Sequence, residues 1–296
     1  MSVSLPLAAL HDEEGSTVPE GLPMVVDAHV HLFPDPLFQA IWTWFDHFGW
    51  PIRYKLSATE VVEFLVSRGV RRVVGLHYAH KPGIAGKLNS HMAQLCQTYP
   101  QLTGTATVFP GEPDTPRILA DAFEIGLRGV KLHAHVQCFD MESVAMHEVF
   151  RVCADFDKPL VVHFGREPKN PFFPYPKDPY EVCRADKLEK VLAAYPALKV
   201  CVPHMGADEY EDYCRLLERY DNLWLDTTMV YADYLPGPEP PRLADIRPDR
   251  VLFGTDFPHI PYAWDRELKR IAGMSLPHDT LSGLLGGNAL NLFGLG

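Results

Sequence analysis

Short runs rich in apolar and β-branched residues recur eight times along the chain, each separated from the next by a stretch with helical spacing. Few folds satisfy that alternation. The runs fall at 24–30 (MVVDAHV), 70–79, 102–110, 127–135, 158–164, 198–205, 222–229 and 249–257. Helix-like stretches lie at 57–69, 89–100, 114–126, 141–157, 184–196, 208–221 and 264–274, and several open on Ser, Thr, Asn or Asp and close at Gly or Pro, as helix ends do. Strands alternating with helices predict a parallel sheet built from βαβ units. Eight such units predict an α/β protein of the closed (β/α)8 TIM-barrel type. The competing open, doubly wound sheet lacks its sequence mark, since no GxGxxG follows the first run. Residues 1–23 are polar, dotted with Pro and Gly and without period, and read as an N-terminal arm. Residues 24–296 read as one barrel domain, with 278–294 as a closing helical segment.

Composition narrows the partners. The 296 residues carry 27 Lys and Arg against 38 Asp and Glu, a net charge of −11. No basic stripe is available to neutralise phosphates, so a nucleic-acid partner is not expected. No apolar run of the roughly 18 residues a transmembrane helix needs is present. The N-terminus lacks the basic start of a secretory signal. The six cysteines form no CxxC pair and read as reduced thiols. The expectation is a cytoplasmic protein acting on a small molecule, with a homo-oligomer compatible with the fold.

The polar residues gather at the strand ends. In "VVDAHVHLF" (25–33), His29 and His31 are one residue apart, and a strand sends alternate side chains to the same face. Alone, the pair reads equally as a metal pincer or as two hydrogen-bonded structural histidines. The other tips carry His77, Lys131, His133, His163, His204, Asp226 and Asp256. Barrel enzymes place their chemistry at that end of the strands. Histidines or an aspartate at the ends of strands one, five, six and eight are hard to explain as packing, because each buried group would need its own partner. The cluster points to a metal site.

The stretches "VDAHVHLF", "RGVKLHAHVQ", "VVHFGREP", "VPHMGADE", "LWLDTTM" and "LFGTDFPHIPY" resemble the amidohydrolase superfamily, in particular the branch that contains the aminocarboxymuconate-semialdehyde decarboxylase type. They span residues 26–261, nearly the whole barrel. The resemblance implies that His29, His31, His163 and Asp256 ligate one divalent ion. Zinc is the expected ion for that donor set, with manganese, iron and nickel open by ligand type. It implies that His204 stands beside the ion to polarise a carbonyl or orient a water, and that Asp256 also moves the proton. Lys131 stands near the position where binuclear relatives carry a carboxylated, metal-bridging lysine. A second metal would follow if it is carboxylated; otherwise it is available to hold an anionic substrate. The single-ion reading is preferred.

The loops carry further expectations. Trp42, Trp44, Phe45, Phe48 and Trp50 follow the first strand and are expected mainly to pack the rim, with one or two touching substrate. Prolines at 168, 171, 174, 176 and 179 predict a stiff, irregular segment after strand five. Arg166 is a candidate clamp for a substrate carboxylate, or else pairs with Glu167 or another acid. Asp208, Glu209 and Glu211 are read as the exposed start of a helix. His259 is read as a surface histidine near the mouth, with a supporting or substrate contact as the alternative, and Asp27 as a hydrogen-bonding support sharing the parity of His29 and His31. The function expected is a metal-dependent hydrolase of an amide, lactone or ester. The alternative is a metal-dependent, non-oxidative decarboxylase of an aromatic or unsaturated carboxylic acid. A barrel kept as a non-enzymatic scaffold is disfavoured by the intact ligand set.

Overall fold

The computed structural model describes residues 7–166, 172, 174, 175, 177–234 and 239–295. Eight parallel strands form where the apolar runs predict them: β1 (Val26–His31), β2 (Arg72–Leu76), β3 (Leu102–Gly104), β4 (Val130–His133), β5 (Leu160–His163), β6 (Val200–Val202), β7 (Leu223–Asp226) and β8 (Val251–Leu252). Each is shorter than its sequence run, and the polar tips His31, His133, His163 and Asp226 are the last residues of their strands. Pairing follows chain order in two ladders, β1-β2-β3 and β4-β5-β6-β7-β8. Single parallel bridges span the two seams, Ala106 to Val130 and Val30 to Phe257. Main-chain bonds reinforce the second seam, with Ala28 N donating to Phe253 O (2.9 Å), Asp256 N to His29 O (3.0 Å) and His31 N to Phe257 O (2.8 Å). This is the predicted (β/α)8 barrel plan, with strands one and eight side by side, although the ladder is not continuous across either seam.

Helices follow most strands, and their starts show why. Ser57 caps the helix Ala58–Ser67 through a reciprocal box: Glu60 N donates to the serine hydroxyl, and Ser57 N donates to the Glu60 carboxylate. Ser143 caps Val144–Asp155 by accepting from Met146 N. The aromatic stretch after β1 forms a rim helix, Asp35–Phe48, which buries Phe38 and Trp42. After β7 the described residues form only short 3-10 turns, in keeping with the prolines there.

The core has two layers. The larger one packs strands against helices. The smaller fills the barrel, where Val26, Ala28, Val74, Leu76, Val161, Cys201 and Leu252 meet Ala289, Leu292 and Phe293 of the C-terminal helical segment. The arm is strapped down by charge. Asp12 pairs with Arg266 (2.9 Å), and Glu14 pairs with Arg68 (3.2 Å) and Arg53 (3.3 Å) and accepts from the Tyr54 hydroxyl. Trp264 Nε1 donates to Gly15 O (3.0 Å). All six cysteines are free thiols, as expected. No helix among the described residues is long and apolar enough to cross a membrane.

Candidate metal centre

The strand tips converge. His29 is fully buried, and its Nδ1–H donates to Asp226 Oδ2 at 2.9 Å. That bond fixes the tautomer and leaves Nε2 as a lone-pair donor. Nε2 makes no hydrogen bond and lies 3.3 Å from Asp256 Oδ1. His31 Nε2 lies 3.1 Å from the same oxygen. Burial, and after it the charge of Lys131, pushes the His29 pKa down to about 3. The same two causes, in the same order, push His31 well below the ordinary histidine range. His29 is therefore neutral at pH 7, and its bare nitrogen faces a carboxylate oxygen. Two acceptors at that distance repel one another, and a cation between them removes the conflict.

Asp226, at the tip of β7, holds two parts of this arrangement. Its second oxygen accepts from His204 N at 3.0 Å. Although burial opposes it, the contact with His29 holds the Asp226 carboxyl below the usual range. The sequence places Asp226 at a strand tip but assigns it no role. Its position one strand from the "GTDFP" tip was the available signal.

His204 and Asp256 both sit in left-handed backbone, at φ 55° and 68°. Such conformations cluster at functional sites, where the surroundings hold them in place. His204 Nδ1–H donates to Thr228 O at 3.0 Å, so its Nε2 accepts from His163 Nδ1–H at 3.2 Å. His163 stacks face to face on His133, with centroids 3.9 Å apart and planes at 8°. Among the described residues, one donor atom each from His29, His204 and Asp256 lies within 4.8 Å of the others. His31 joins this group through Asp256, and His163 through His204. Lys131 is buried on β4; burial first, then His163 and the Lys131 charge, push His133 well below the ordinary histidine range.

Gly254 makes the approach possible. A Cβ there would fall 2.7 Å from His29 Cβ and 2.5 Å from Thr228 Oγ1, so any side chain would displace the histidine. Asp27 braces the same seam, accepting from Thr255 Oγ1 (2.6 Å), Thr255 N (3.1 Å) and His29 N (3.1 Å), while burial raises its pKa to about 7.

Three sequence expectations change, and Arg166 takes the ion-pair reading that stood beside the clamp. The β1–β2 register shifts between Asp27 and Val30, so the parity that grouped Asp27 with His29 and His31 does not hold, although Asp27 does support the site by hydrogen bonding. Arg166 Nε lies 3.4 Å from Glu209 Oε1 and 3.6 Å from Asp208 Oδ1, so the clamp candidate is engaged by acids. Glu209 is buried rather than an exposed helix start, and it also accepts from Arg166 N. His259 is only 3% exposed, not a surface residue, and stacks on His31. Glu167 and most of the proline-rich segment lie outside the described residues. Of the aromatics, Phe45 reaches His259, Trp42 stacks on Phe38 and Trp50 Nε1 donates to His259 O.

Imidazoles and a carboxylate at the mouth of a parallel barrel define the class: an enzyme built on the metal-dependent TIM-barrel plan. The family profile described as amidohydrolase matches residues 26–295, and the chain belongs to that family. Comparison with curated proteins finds no match. Among solved structures, an uncharacterized TIM-barrel protein, Bb4693, from Bordetella bronchiseptica is similar at 19% identity and a TM-score of 0.67, over 92% of this chain and 99% of that one. The 5-carboxyvanillate decarboxylase of Novosphingobium aromaticivorans, complexed with manganese and 4-hydroxy-3-methoxy-5-nitrobenzoic acid, is 17% identical, with a TM-score of 0.64 over 96% of this chain and 100% of its own. A probable 2-pyrone-4,6-dicarboxylic acid hydrolase from Acinetobacter baumannii, with citric acid bound, is 17% identical, with a TM-score of 0.58 over 91% and 99%.

Proposed function

We propose that the chain is a metal-dependent hydrolase that cleaves an amide, lactone or ester bond of a small molecule. The observation that carries this reading is the bare, neutral His29 Nε2 held 3.3 Å from the Asp256 carboxylate, an arrangement that suits a cation. His29, His31, His163 and Asp256 are the proposed ligands of one ion, zinc or manganese by donor type. A divalent ion there supplies Lewis-acid polarisation of a substrate oxygen or of water. Asp226 fixes the His29 ring. His204, anchored by Thr228 O and bonded to His163 through Nε2, stands beside the same space, where it could exchange that bond for one to substrate or water. Asp256 accepts the proton of the attacking water. Lys131 is read as an uncarboxylated ammonium whose charge adds to burial in keeping His29 and His31 neutral.

Arg166 weighs against the decarboxylase alternative, since Glu209 and Asp208 already engage the group that would anchor a substrate carboxylate. The decarboxylase named above shares the fold and keeps that alternative in the test. Metal content of protein purified without chelator should be about one equivalent per chain; about two would favour a carboxylated Lys131. His204→Ala should retain metal, whereas His163→Ala should lose it. The reverse result would exchange their roles, as the grouping of His204 with His29 and Asp256 would favour. Incubation with aryl esters and lactones in 18O-water should label the acid product. Release of carbon dioxide from aromatic acids, with no label from any ester or lactone, would overturn the hydrolase reading.

A further inference from the structure

We propose that His259 contacts the substrate through Nε2 and selects for a hydroxyl or carbonyl group on a flat part of it. This inference rests on reading the histidine cluster as the active site. His259 lies three residues beyond Asp256, and both ends of its peptide unit are fixed. Its N donates to Asp256 O at 2.9 Å, and its O accepts from Trp50 Nε1 at 2.7 Å. The ring is stacked on His31 with centroids 5.0 Å apart and planes at 23°, and on Phe33 at 6.3 Å and 20°. Phe38 meets it edge-on at 5.8 Å and Phe45 at a tilt at 5.6 Å. A group clamped this firmly has little freedom to turn toward a distant partner.

Within that cage, Nε2 is buried and makes no hydrogen bond. Away from the site His91 Nε2 is likewise buried without a partner, but two other histidines there are satisfied. His77 Nε2 bonds Asn89 Oδ1 at 3.2 Å, and His147 Nδ1 bonds the Tyr195 hydroxyl at 2.6 Å. An orphaned buried polar atom destabilises a fold, and a phenylalanine would fill an aromatic cage without that penalty. The chain keeps a polar atom in an apolar cage one stacked ring from His31, itself in contact with Asp256. Its missing partner is best supplied by the bound ligand. A neutral imidazole can donate or accept at Nε2 according to tautomer, which suits a hydroxyl and a carbonyl alike. The parallel stack of His31 and Phe33 beside it suits a flat ligand face.

The test compares wild type with His259→Phe and uses benzoate and its 2-, 3- and 4-hydroxy derivatives as probes, carboxylates being products of ester and lactone hydrolysis. Binding is followed by intrinsic fluorescence, since Trp50 touches His259 directly. At least one hydroxybenzoate should bind wild type tenfold or more tightly than benzoate, and His259→Phe should lose that preference while its metal content stays unchanged. Its thermal midpoint should be equal or higher, because the orphaned nitrogen is gone. The proposal is overturned if wild type shows no preference for a hydroxyl, if His259→Phe keeps the preference, or if His259→Phe melts several degrees lower, as a structural histidine would predict. Metal-free wild type with an intact His259-dependent preference would sink the metalloenzyme reading and leave this inference standing.

Discussion

Replacing Asp226 by asparagine tests the site at the residue that aims it. Two donors face the carboxylate: His29 Nδ1–H at 2.9 Å and His204 N–H at 3.0 Å, with the Thr228 side chain alongside. The carboxylate accepts from both, whereas an amide of the same shape has one oxygen. If that oxygen takes the His204 amide, the NH2 faces His29 Nδ1 and drives the imidazole proton to Nε2, the nitrogen proposed to bind metal. If it takes His29, two donors collide at His204, whose backbone is already in the left-handed region. Removing the hydrogen-bonding partner of a metal-binding histidine weakens metal affinity roughly 10- to 100-fold, which is about 1.4–2.7 kcal/mol. The apo protein should lose stability as well, by about 1–3 kcal/mol for the mispaired buried group. Competition with a chromogenic chelator measures the first quantity, and urea unfolding of the chelator-treated protein measures the second. Asp226→Asn with affinity within twofold of wild type would refute the idea that Asp226 sets the tautomer of His29.

Other consequences can be checked separately. Gly254→Ala puts a Cβ against His29 and should strip most of the metal and lower the melting temperature by several degrees; a normally loaded, equally stable variant would contradict the geometry. Burial holds His77 down to about 4, so the unfolded chain, near 6.5, binds the extra proton and stability falls as pH drops from 6.5 toward 4. Its share of that loss is at most about 1.4 kcal/mol per pH unit, and His77→Gln should show a shallower decline in urea melts at pH 7, 6 and 5. Glu14→Gln removes the charge that Arg53 and Arg68 share and should cost about 1 kcal/mol, with the largest rise in amide exchange at the Gly15 and Val18 amides; uniform exchange along the chain would argue against the strap.

The sequence and the structure agree where pattern is local. Each strand announced itself as an apolar run, and the polar tips announced the mouth, because parallel strands buried on both faces leave few other places for His163, His204 and Asp256. What could not be read depended on distance or on a break in period. Arg166 meets Glu209 43 residues away, and nothing in either neighbourhood encodes that pairing. Asp27 was misgrouped because parity reasoning fails across a register shift. His259 reads as exposed from sequence because the rings that bury it, Phe33, Phe38 and Phe45, come from the other end of the chain. Asp226 was visible at its strand tip, but its hold on His29 spans 197 residues.

The seam between β1 and β8 has a consequence for how the protein is made. His31 and Asp256 face each other across a separation of 225 residues, and the main-chain bonds that set their spacing belong to the first and last strands. A ribosome must deliver almost the whole chain before those bonds can form, since contacts of such separation come late. A nascent chain stopped before "GTDFP" lacks Asp256, so the proposed ligand set stays incomplete until the last strand tip emerges. On the proposed ligand set, capture of an ion would mark the moment of completion, open only to chains whose two ends have met.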